Sequence, residues 1–162
     1  MTIQPATGRW FISFSLIWLF VLAMIPIPDN LALFRPGFIA LGVIYWCIAL
    51  PYRFGIFQAL LCGLFIDVQL NYPLGCHGLA MSILAYTCLL INHQFRMFAL
   101  WQQAGVVFLL LLPYHLILLW LLQLTKGVDI GWDYFIPAVT SAAIWPLIFM
   151  ILRDGRRRFK VT

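Results

Sequence analysis

Six apolar stretches separated by very short connections fill almost all of this 162-residue chain. That layout constrains the fold before any motif is read. Only 9% of the residues are charged and 64% are hydrophobic, whereas a soluble domain carries roughly a quarter charged residues. Mean hydropathy is +0.99. Such a chain has too little polar surface to face water, so lipid must be its solvent. The sequence predicts an all-α integral membrane protein, a six-helix transmembrane bundle with short loops.

Spans can be read between the breaks at about 10–28, 37–50, 54–70, 77–92, 98–124 and 132–152, followed by a basic tail over 153–162. Pro26, Pro28, Asp29 and Asn30 end the first span, and Arg35-Pro36 opens the second. Proline at a first helical turn costs nothing, because its missing N–H would have no partner there. Pro51-Tyr52-Arg53 separates the second and third spans, and Asn71, Pro73 and Gly75 mark the next turn. The second, third and fourth spans are short, since about 16 residues rise only about 24 Å. Pro113 and Pro146 fall inside the fifth and sixth spans, where a proline kinks a helix. One domain over residues 1–162 is the natural division.

Charge sets the orientation. With a cytoplasmic N-terminus, Arg9, Arg53, Arg96, Arg153, Arg156, Arg157, Arg158 and Lys160 face the cytoplasm, and only Arg35 and Lys126 face outward. That is eight of the ten Lys and Arg on one side, as the positive-inside bias requires. An odd number of spans would put the basic tail on the wrong face. Both termini are therefore expected in the cytoplasm. The run MTIQPATGRWF is a poor match to a cleavable signal, so the first span is expected to stay as an anchor. Trp10, Tyr52, Trp101 and Trp132 lie near span ends and suit an interfacial belt.

The chemistry-bearing residues are few. There is no Glu, and four of the five Asp fall in loops or the tail. Neither a Gly-rich phosphate loop nor a G-x-S-x-G elbow is present, and no serine has a histidine beside it. Cys47, Cys62, Cys76 and Cys88 lack metal-ligand spacing, although Cys76-His77 would be a weak metal pair and Cys76 an oxidisable thiol near the outer surface. No catalytic group, cofactor or metal is expected.

Asp67 is the sharpest exception, an acid inside the third span, about 21 Å up the helix from Arg53. A charge at membrane depth is expensive and needs a partner. Either it contacts a ligand or partner protein, or it caps the tight Asn71–Gly75 loop through backbone N–H groups. His115, two residues after Pro113, could reach a similar depth, which makes an Asp67–His115 hydrogen bond a candidate. Ala59, Gly63, Gly78, Ala80 and Ala85 let spans three and four pack closely. In the tail, Arg156, Arg157 and Arg158 attract anionic lipid headgroups or dock a cytoplasmic protein; nucleic acid is the wrong partner for so short an appendage.

Taken in order, Arg35-Pro36, Tyr45, Gly63, Asp67, Leu74-Gly75 and Tyr86 resemble the pattern of the MreD rod shape-determining family. Tyr45-Trp46, Ala49-Leu50-Pro51, Ala80-Met81-Ser82 and Leu100-Trp101-Gln102-Gln103 resemble its proteobacterial branch. The Cys76-His77 pair lies outside that pattern. The resemblance implies a multi-pass subunit of the bacterial inner membrane, acting in the cell-elongation complex that builds peptidoglycan in rod-shaped cells. It implies as partners MreC, through its single transmembrane helix, and the actin-like MreB beneath the membrane. RodA and a class B penicillin-binding transpeptidase would carry the wall chemistry. It also implies a fold similar to the S components of energy-coupling-factor transporters.

Two classes of function follow. One is a non-enzymatic scaffold that binds MreC by close helix packing, with Asp67 and the Asn71–Gly75 loop shaping the outer face. The other is a small-molecule or lipid carrier, which needs a polar cavity; Gln58, Asp67, Tyr86, Thr87 and His115 are its candidates.

Overall fold

The computed structural model describes residues 9–26, 28, 34–127 and 131–158, without the side chains of Arg9, Lys126 and Trp132. Among the described residues six α-helices follow one another: α1 (Arg9–Met24), α2 (Phe38–Ala49), α3 (Ile56–Gln69), α4 (Cys76–Phe95), α5 (Leu100–Lys126) and α6 (Ile136–Arg158). A 3-10 turn, Trp132–Phe135, leads into α6. No strand occurs among the described residues. The expected six-helix membrane bundle is what the chain forms.

The boundaries shift for local reasons. α1 stops at Met24 rather than near Pro28, because a residue before proline is driven out of the helical region. α6 runs on through Arg158, so the described part of the expected basic tail is helix. Basic side chains in a last helical turn complement the partial negative charge of its carbonyls. Asp29, Asp129 and Lys160 lie outside the described residues.

By length and composition, Cys76–Phe95, Leu100–Thr125 and Asp133–Arg158 can each cross a membrane, while α1, α2 and α3 are shorter. The shortest is the best enclosed. α2 has only 12 residues, a rise of about 18 Å. Every residue from Ile39 to Ile48 is buried against α1, α4 and α6. Its apolar surface meets protein on all sides, which is why its composition shows no amphipathic stripe.

Polar side chains stitch neighbours to α2. The Trp46 indole N–H donates to Ser15 Oγ on α1 at 3.0 Å, and that hydroxyl donates to Ile12 O at 2.8 Å. The Gly37 N–H, at the start of α2, donates to Ser141 Oγ on α6 at 2.8 Å. At the far end the Arg96 guanidinium donates to Ile48 O from Nε (3.0 Å) and Nη2 (2.6 Å), and to Ala49 O (3.1 Å). Arg156 adds a bond to Ala49 O at 3.3 Å. In lipid, these carbonyls would otherwise lack partners at a cost of several kcal/mol each.

α3 and α4 form the closest hairpin, as the small residues predicted. A β-carbon on Gly63 would lie 2.5 Å from His77 O and 2.6 Å from Gly78 Cα, so the two backbones touch. Gly63→Ala is expected to push the pair apart and to cost about 1–3 kcal/mol. The check is the unfolding midpoint of the purified protein in mixed micelles, read beside an exposed control such as Leu79→Ala.

Candidate functional site

α3 reaches the turn at its end with one acidic side chain. Asp67 is fully buried, and its carboxylate is saturated by the start of α4. Oδ2 accepts the Gly75 N–H at 2.9 Å, Oδ1 accepts the His77 N–H at 3.0 Å, and the Gly78 N–H lies at 3.4 Å from Oδ2. The His77 ring donates Nδ1–H to Oδ1 at 2.8 Å. The logic is that of a helix N-cap borrowed from the preceding helix. Gly75 occupies the cap position and has no side chain, but its φ of +107° is what only glycine adopts readily. Asp67 supplies the missing acceptor. Near the C-terminus of its own helix the carboxylate meets an unfavourable dipole, which the N-terminus of α4 more than offsets. Asn71, at φ +52°, takes the other left-handed position in the turn.

The histidine paired with Asp67 is His77. The Asp67–His115 contact raised from the sequence does not form: His115 donates Nδ1–H to Leu111 O at 2.8 Å, within its own helix. The clasp draws Asp67 toward the four exposed N–H groups of α4, and His77 stands in that first turn. No motif marks His77 in the sequence; a pairing set by a turn becomes visible only once the turn is built. Cys76 is buried beside it, contrary to the expectation of an accessible thiol.

His77 and His115 do share a cleft. About 290 Å³ in volume, it is lined by Arg35, Pro36, Tyr72, His77, Tyr114, His115 and Tyr134. Tyr72 stacks on His77 with ring centroids 5.5 Å apart, and Tyr134 meets His115 edge-on at 5.6 Å. Pro36 is buried and Arg35 half-buried at its rim. An imidazole oriented by a carboxylate could in principle activate a hydroxyl. The serines that make hydrogen bonds are engaged elsewhere: Ser15 with Ile12, Ser82 with Gly78 O at 2.8 Å, and Ser141 with Gly37. No group of three metal-ligating residues occurs among the described residues.

The residues singled out in the sequence therefore divide between two ends of the bundle. Arg35, Pro36, Gly63, Asp67, Leu74, Gly75 and His115 belong to the Asp67 end, where Leu74 projects from the turn, 73% exposed. Arg156, Arg157 and Arg158 lie at the opposite, arginine end; Arg156 is half-buried and the other two are exposed. The carrier candidates do not assemble. Tyr86 faces outward, Gln58 accepts the Gly55 N–H at 3.0 Å, and Thr87 bonds Ile83 O and Leu84 O. Arg96 was read from sequence only as a topology signal, because nothing local shows that it folds back onto α2.

Asp67→Ala would leave the Gly75 and His77 N–H groups and the His77 ring without their acceptor. A loss of about 2–4 kcal/mol is expected. Asp67→Asn keeps an oxygen and should recover part of it. Unfolding midpoints of the two variants and the parent protein decide the order.

Comparisons with known proteins agree with this architecture. A family model described as rod shape-determining protein MreD matches residues 4–154. The rod shape-determining protein MreD of Haemophilus influenzae, a proteobacterium, is 29% identical over 155 residues, covering 94% of this chain and 95% of the relative. No solved structure matches, so the likeness to transporter S components has no structural comparison behind it. Six apolar helices, a buried acid at the α3–α4 turn and a family match along almost the whole length lead to one assignment: this chain belongs to the MreD family of rod shape-determining membrane proteins, whose role is in cell shape.

Proposed function

We propose that this protein is a non-enzymatic subunit of the bacterial inner membrane that assembles the cell-elongation complex around the transmembrane helix of MreC. The arginine end, with both termini, faces the cytoplasm, and the Asp67 end faces the periplasm. What supports this orientation is the charge count, together with Arg96, Arg153 and Arg156 meeting at one end of the bundle. MreB would meet the arginine end. RodA and the class B penicillin-binding transpeptidase would join the same assembly and direct peptidoglycan synthesis.

The observation that carries the MreC reading is a trough of about 460 Å³ between α1 and α3. Leu16, Ile17 and Phe20 form one wall, and Leu61 and Phe65 the other, with Ile12 and Cys62 between them. The trough follows both helices for about two turns, the shape a third helix fills. The small residues Ala59 and Gly63 are already buried against α4, so the face of α3 left for a partner is the one along the trough. A bulky pair, Ile17→Trp with Leu61→Trp, should fill it and reduce MreC recovery from native membranes about tenfold. Undiminished recovery of MreC would remove the trough from the reading.

A carrier reading is favoured by the cleft holding His77 and His115, which has the volume of a small ligand. Mass spectrometry of what copurifies separates the two. MreC with the wall synthase supports the scaffold; a soluble ATPase pair supports the carrier. Orientation has its own check, because the four native cysteines are buried. Leu74→Cys should react with an impermeant maleimide in spheroplasts, and Arg157→Cys only in inverted vesicles.

A further inference from the structure

We propose that the cleft at the arginine end is a headgroup site for an anionic phospholipid, with Arg96, Arg153 and Arg156 surrounding its phosphate. The cleft, about 470 Å³, opens between the end of α2, the α4–α5 turn and α6. All three guanidiniums line it, and none has a carboxylate partner among the described residues. Each guanidinium carries five N–H donors. Arg96 uses Nε and Nη2 on the carbonyls of Ile48 and Ala49, and Arg156 uses Nη1 on Ala49 O. The remaining donors are thus held in place from behind by α2. Arg153 makes no hydrogen bond to a described residue, and it sits one turn from Arg156 on the same face of α6.

Two buried polar side chains line the same space. Tyr45 is 3% exposed and Gln103 5%. Among the described residues the Tyr45 hydroxyl has no hydrogen-bond partner, yet no side-chain oxygen or nitrogen of theirs is sealed away unsatisfied, so that hydroxyl opens onto the cleft. Gln103 is held by Phe98 O at 3.0 Å and by the Trp145 indole at 3.4 Å. Opposing charge is present but covered. The carbonyls of Ile48 and Ala49 repel an anion, but Arg96 bonds both and Arg156 bonds Ala49 O; Asp154 does not line the cleft.

The apolar part of the lining selects a lipid over a soluble anion. Phe149 and Trp145 line the cleft beside the guanidiniums, and Phe98 and Leu100 add exposed apolar surface that an acyl chain can cover. An acidic peptide or free phosphate would gain nothing from that rim. The location of such a lipid in the inner leaflet rests on the orientation proposed above, but binding itself does not.

The test uses the whole protein in neutral detergent, where both ends are accessible. Phosphatidylglycerol or phosphatidylcholine is added at equal mole fraction, with native mass spectrometry and the unfolding midpoint as readouts. The parent protein should retain phosphatidylglycerol and be stabilised by it, and not by phosphatidylcholine. Arg153→Gln/Arg156→Gln should weaken retention about tenfold, and Arg153→Gln alone, which leaves the α2 carbonyl bonds intact, should weaken it in the same direction. Arg157→Gln/Arg158→Gln, with the same loss of charge outside the cleft, should leave retention unchanged. Equal loss in both double variants would overturn the site in favour of diffuse attraction. No preference between the lipids would overturn it as well. Stabilisation by inorganic phosphate alone would assign the cleft to a soluble ligand. A reversed orientation would fail the maleimide labelling and leave these results as they are.

Discussion

Short helices surrounded by apolar neighbours have the same difficulty as a sheet edge in lipid: their terminal N–H and C=O groups have no water to turn to. α2, with 12 residues, is the extreme case. Ser141 accepts the Gly37 N–H at its start, and Arg96 with Arg156 meets its last carbonyls. Because these side chains come from α6 and from the α4–α5 turn, satisfying one helix also fixes the positions of the others. The same rule shapes the α3–α4 hairpin, where Asp67 serves the N–H groups of α4.

Helix direction explains why the two ends are chemically opposite. α2, α4 and α6 all start at the Asp67 end and finish at the arginine end. Acceptors are needed where N–H groups gather and donors where carbonyls gather. Asp67 and Ser141 therefore meet N–H groups at one end, and Arg96 and Arg156 meet carbonyls at the other. Arg96 and Arg156, which cap the end of α2, are also among the basic residues on which the proposed orientation rests. One set of side chains then contributes to the packing of α2 and to the charge of the cleft.

Close packing sets which faces of the helices stay open. Gly63 is consumed by contact with the backbone of His77 and Gly78, so the tightest face of α3 is internal. α1 packs on α2 and leaves the trough along α3 open.

The sequence by itself determined the membrane class, six helices, the close packing of α3 on α4 and the family, because hydropathy, charge and small-residue spacing act locally or over the whole length. Asp67 stood out for the same reason: a lone acid in an apolar span is visible without coordinates. Its partner did not, nor did the return of Arg96 to α2 or the meeting of Arg96 with Arg153 and Arg156. Those depend on where chain turns bring residues separated by tens of positions, such as Ala49 and Arg156. The tertiary structure alone decided them, since a side chain bonds whichever unsatisfied backbone group the packing places within its reach.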